Sequence, residues 1–147
     1  MTNETLARSY LKKATDRLDI LDLLSRKGAY SDVVREAQEI VELALKGMLR
    51  FVGIEPPKFH DVGGLLLEHS DKYPEEISKH LERMARISKR LRKERELSFY
   101  GDIDFIPTEE YTLEDAEEAA EGANFVVEMA RRLMGEGSGG ERSQRGD

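Results

Sequence analysis

The sequence predicts an all-α fold: an antiparallel up-and-down helical bundle of four long helices plus one short helix. Three observations carry that prediction. Apolar residues recur at three-and-four spacing along several long runs, which is the period that lines one face of an α-helix. No run alternates apolar and polar residues as a half-buried strand would. The first two long runs are joined by a short connection, which favours antiparallel neighbours. At 147 residues the chain is long enough for one domain with a real core.

The first helix is expected from about Glu4 to Arg26, capped by Asn3 or Thr2, with Leu6, Tyr10, Leu11, Ala14, Leu18, Leu21 and Leu24 along its apolar stripe. Lys27-Gly28 ends it. The central helix spans Ser31 to Val52, and its apolar arc holds Val33, Val34, Ala37, Ile40, Val41, Ala44, Leu45 and Met48. Ala37, Val41, Ala44 and Met48 are expected in the middle of the core. On the opposite arc Arg35 and Glu39, and Glu42 and Lys46, stand four apart and support the helix weakly. Gly53 is the stop.

Pro56-Pro57 then forces a loop. Asp61 can cap a short helix through Leu65, Leu66 and Leu67, and Tyr73-Pro74 breaks the chain again. The next helix is expected from about Glu75 to Ser98, with the stripe Ile77, Leu81, Met84, Ile87/Ser88 and Leu91. Continuing that stripe leads to Arg95 and Ser98, so an arginine ends the core-facing row. A loop with Gly101 and Pro107 follows. Thr112-x-x-Asp115 resembles a capping box and opens the last helix, whose stripe of Ala116, Ala119, Ala120, Ala123, Val126, Val127 and Ala130 would allow close helix approach. Residues 135–147, rich in Gly and charge, are predicted to be a disordered tail after a bundle of residues 1–134.

Composition narrows the function. The absence of Cys removes disulfides, thiolate metal sites and a Cys nucleophile. No apolar stretch approaches the roughly 20 residues that span a bilayer, and the N-terminus lacks a signal-peptide layout, so a cytoplasmic protein without a membrane anchor is expected. A net charge of −7 argues against gripping long nucleic acid through bulk charge, and leaves a local basic site open. Abundant Glu, Arg and Lys with few Asn and Gln is the bias of a thermophile protein. His69 and His80 have no partner at metal-ligand spacing, so no metal is expected; no Gly-rich phosphate loop is present, and no cofactor is expected.

Several segments in order resemble a HEPN domain (higher eukaryotes and prokaryotes nucleotide-binding). They are Ala37-x-Glu39-x-x-Glu42-x-Ala44-Leu45-Lys46-x-x-Leu49, then Gly53, Pro56/Pro57 and His60-Asp61-Val62, then Arg95-x-x-x-x-Tyr100-Gly101-Asp102, and Tyr111-Thr112-x-Glu114-Asp115-Ala116. The similarity runs from Leu6 to Met134. It implies a compact helical bundle, a homodimer, and a place beside a minimal nucleotidyltransferase as a toxin–antitoxin pair. Many HEPN proteins are metal-independent ribonucleases that carry Arg, then four to six residues, then His. Counted from Arg95, that His would fall at Tyr100, Gly101 or Asp102, and counted from Arg92 it is missing as well. The usual general acid/base is therefore absent, and no catalytic residue can be assigned.

The candidate nucleotide- or RNA-binding residues are Arg95, Tyr100, Asp102, Arg92, His60 and Lys46. Each has a second reading. Arg95 can aim its planar fork at a phosphate, or pair with Asp102, Asp104 or a Glu of another helix. Tyr100 can donate to a phosphate or stack on a base, or anchor its loop. Asp102 suits a turn. His60 can bind, transfer a proton, or fasten the Pro-Pro loop. Lys46 pairs with Glu42 or meets a second subunit. The basic run that includes Arg92 reads as a solvated helix face. Three functions remain open: a nucleotide- or RNA-phosphate-binding protein with a nucleotidyltransferase partner, a ribonuclease that tolerates the missing His, and a non-catalytic dimeric interaction module.

Overall fold

The computed structural model describes residues 2–58 and 61–136. Helix α1 (Asn3–Arg26) starts where the Thr2 hydroxyl accepts the Thr5 N–H at 3.0 Å, which satisfies one of the free donors of the first turn. A three-residue link, 27–29, leads to α2 (Tyr30–Phe51). Helix α2 packs against α1, α5 and α7, so it is the axis of the bundle. Ala37, Val41, Ala44 and Met48 are fully buried in its middle, as the apolar spacing predicts. Gly47 interrupts a good helical sequence for a reason of space. A Cβ there would stand 3.2 Å from the Ala7 carbonyl oxygen and 3.3 Å from the Tyr10 Cβ, so glycine lets α1 lie close against α2.

After the Pro-Pro loop come α3 (Val62–Glu68), a short 3-10 turn at Ser70–Lys72, and α4 (Glu75–Ser78). The helix expected over 75–98 is divided. Helix α5 (Leu81–Phe99) begins only after Lys79 and His80. At the junction the His80 N–H reaches back three residues to the Ile77 carbonyl at 2.9 Å, a tighter turn than the α-helical one. The division has a packing cause. Helix α4 contacts α7, whereas α5 lies along α2 and α3, and His80 sets its ring edge-on to Phe125 of α7 at 5.6 Å. Both Ile77 and Leu81 are buried by this arrangement. No Pro or Gly marks the break, so the periodicity runs through it.

Two bonds between Asp102 and Phe105 close the following turn, 2.9 and 3.0 Å long. Gly101 enters it at φ +70, the left-handed region, with no room for a Cβ beside the Phe105 carbonyl and Pro107. A single helical turn, α6 (Pro107–Glu110), precedes α7 (Leu113–Leu133). The predicted capping box forms: Asp115 donates its N–H to the Thr112 hydroxyl at 3.2 Å, and its carboxylate accepts the Thr112 N–H at 2.9 Å. Ala116, Ala119, Gly122, Ala123 and Ala130 bury the small-residue stripe of α7. Beyond α7, Glu136 accepts from Arg8 at 2.9 Å and ties the chain back to α1. Of the tail predicted to be disordered, residues 137–147 lie outside the described residues. Among the described residues no helix is long and apolar enough to cross a membrane, and the only β-type pairing is the Asp102–Phe105 bridge.

Candidate functional site

Two pairs of residues, each four apart in sequence, meet across the α2–α5 groove. On α2 they are Arg35 and Glu39, and on α5 they are Arg95 and Phe99. Residues four apart share one side of a helix, so each helix offers two side chains, one turn apart. The Arg35 guanidinium lies over the Phe99 ring, 4.5 Å from its centroid. Arg95 donates from Nη2 to Oε2 of Glu39 at 3.3 Å. The match of 35 with 99 and of 39 with 95 shows that the two helices run antiparallel. Arg35 also places its Nε 3.7 Å from the same Glu39 oxygen. One carboxylate oxygen thus sits between two guanidiniums.

Arg95 does not turn inward with the stripe that leads to it. Its side chain is 49% exposed, and Ser98, three residues on, takes the buried slot. The partner is neither Asp102 nor Asp104 but a Glu of another helix. Such a half-exposed pair is worth about 0–1 kcal/mol, so it does not hold the bundle together. Tyr100, 70% exposed, stands edge-on to Phe99 with ring centroids 4.9 Å apart. An aromatic pair therefore borders the two arginines.

The remaining candidates are placed elsewhere. Asp102 holds its own turn, with its carboxylate accepting the Ile103 N–H at 2.6 Å. Arg92 reaches the α3 flank and stands 3.6 Å from Asp61. With Lys89 and Lys93 it borders an open groove there. Lys46 pairs with Glu42 at 3.3 Å, two helical turns beyond Glu39 on α2. His60 lies outside the described residues. The site thus brings together Arg95 and, through Phe99, Tyr100; it does not gather Asp102, Arg92 or Lys46 with them.

Sequence reasoning noted Arg35–Glu39 only as a helix-supporting pair. The signal that identifies them was present, because both helices carry an i, i+4 pair of matching chemistry. A second feature went unpredicted. On the other flank of α5 a cleft of about 290 Å³ opens towards α7, floored by Val34, Ile87 and Leu91. At its rim the Tyr111 hydroxyl donates to Glu94 at 2.5 Å, and Arg90 pairs with Glu118. Burial, then the bond to Glu94 and the negative charges of Glu94 and Asp115, push the Tyr111 phenol well above its usual range.

The chain belongs to the HEPN domain family, whose profile matches residues 7–133. It is also similar to the candidate toxin MJ1304 of Methanocaldococcus jannaschii, at 27% identity over 141 residues, which cover 91% of each chain. No solved structure matches it significantly. Among the described residues no three His, Asp or Glu side chains gather as a metal site.

Proposed function

We propose that this protein is a toxin-like HEPN component that binds the phosphate of a nucleotide or of RNA between Arg35 and Arg95. In this reading it works as a homodimer beside a minimal nucleotidyltransferase partner. The observation that carries it is the shared Glu39 oxygen: two guanidiniums already converge on one anionic oxygen, with exposed aromatic rings alongside. Guanidinium forks suit phosphate geometry, and an aromatic face accepts any base. The name of the archaeal relative supports the toxin role.

Binding is favoured over cleavage. The positions where the ribonuclease histidine would fall hold Tyr100, Gly101 and Asp102. His80 precedes the first residue of α5, fifteen residues before Arg95, roughly 22 Å away along the helix axis. It cannot take the missing role. The test is a fluorescence titration with adenosine monophosphate and a short RNA, run beside an RNA incubation without metal. Wild type is expected to bind and to leave the RNA intact. Arg95→Ala is expected to stay folded and bind at least tenfold more weakly, and undiminished binding would remove the site. Cleavage of the RNA that is lost in Arg95→Ala would replace the binding reading with the ribonuclease one.

A further inference from the structure

We propose that Glu39 is an internal stand-in for the ligand phosphate, and that Arg35 and Arg95 become the phosphate fork when Glu39 swings away. This rests on the phosphate-binding reading above and adds a gate to it. The geometry supports it in three ways. Glu39 Oε2 is 3.3 Å from Arg95 and 3.7 Å from Arg35, so one acceptor lies within ion-pair reach of both guanidiniums and is hydrogen-bonded to Arg95. Arg35 is held by a second contact of its own. Arg35 rests on the Phe99 ring, a contact that orients its planar head without neutralising it. Arg95, on the last turns of α5, has Glu39 as its ion-pair partner. Third, the Glu39 side chain is 35% exposed, so it can leave the fork for water at little cost.

The consequence is selectivity by charge. A ligand must displace a carboxylate of charge −1. A terminal phosphate monoester carries ≈ −1.5 to −2 near neutral pH and brings three acceptor oxygens, whereas a diester carries only about −1 and matches what Glu39 already supplies. The fork should therefore prefer a nucleotide's terminal phosphate, or the phosphorylated end of an RNA, to an internal phosphodiester. In the empty protein Glu39 keeps two arginines from repelling each other and from capturing ordinary anions.

The experiment measures binding of adenosine monophosphate and of its 3′,5′-cyclic diester to wild type, Glu39→Gln, Arg35→Ala and Arg95→Ala, with melting curves to show that each is folded. Glu39→Ala is the second variant at the gate. Both Glu39 variants are expected to bind the monophosphate about fivefold more tightly than wild type, and to gain at least as much for the cyclic diester. Arg35→Ala is expected to lose binding along with Arg95→Ala. Equal or weaker binding by folded Glu39→Gln and Glu39→Ala, while Arg95→Ala still loses it, overturns the gate and leaves the phosphate site standing. Undiminished binding by Arg35→Ala overturns the fork. Undiminished binding by Arg95→Ala, or no binding by any of the proteins, overturns the site and the gate together.

Discussion

Two tyrosines keep their protons past the ordinary phenol range. Burial raises Tyr73, whose hydroxyl donates to the Met48 carbonyl at 2.9 Å, and burial with Glu94 raises Tyr111. A phenol whose pKa is higher folded than unfolded contributes stability that is complete below the unfolded value of ~10 and is lost as pH rises beyond it. Thermal melts at pH ~8 and ~10.5 should therefore show a drop for wild type and a smaller drop for Tyr111→Phe. An equal drop in both would separate Tyr111 from the alkaline loss. Gly101 offers a second test at this scale. An alanine there would meet φ +70, the Phe105 carbonyl, and Pro107 Cδ at 2.5 Å. Gly101→Ala should cost more than about 1 kcal/mol, read as a lower melting temperature with helix content kept. Arg95 shows how far single residues were legible. Its place in the stripe was visible, but a long side chain with a distant Glu within reach bends out of the row, and that Glu lies 56 residues earlier.

At the level of elements, the stripes and the caps of α1 and α7 were readable because their causes are local, whereas Asp61, expected to cap α3, makes no side-chain bond there. Thr112 and Asp115 are three apart and satisfy each other's backbone donors. The division between α4 and α5 was not readable, because its cause is the separate docking of Ile77 and Leu81 against different helices. Helix α2 is the element on which the rest depends. Val41 is 1% exposed, so Val41→Asp would bury a charge with nothing to pair it. The variant should lose its cooperative melt by circular dichroism, and an unchanged melting temperature would mean that α2 presents another face to the core. The small side chains of α7 against α2 lower the entropy lost on packing, since Ala has no rotamers to give up.

At the level of the whole molecule, charge and apolar surface are unevenly distributed. The chain carries −7, yet α5 alone holds seven Arg or Lys against three Glu, and all but Arg95 of those cations precede the aromatic end of the helix by at least six residues. Around that end Leu97, Phe99, Tyr100, Ile103, Ile106 and Leu113 are exposed, with Ile103 at 90%. Phe105, between Ile103 and Ile106, packs on Tyr111 with centroids 5.7 Å apart. Large exposed apolar residues close together in sequence suit a contact surface, and the proposed homodimer would use this one. Light scattering at micromolar concentration should give twice the chain mass, and Ile103→Glu with Leu97→Glu should halve it. A wild-type protein of one chain mass would remove the dimer and leave the Arg35–Arg95 site to act within a single subunit.

The central position of α2 also sets an order of events during synthesis. Its apolar sides are covered by α1, which precedes it, and by α5 and α7, which follow it. The α1–α2 hairpin can close as soon as it leaves the ribosome, because its contacts are local. The face that waits for α7 stays bare until nearly the whole chain has emerged, and an exposed apolar face on an unfinished chain invites aggregation. A nascent chain halted at Glu110 should consequently be held by chaperones or precipitate, whereas one released after Glu136 should be free of them.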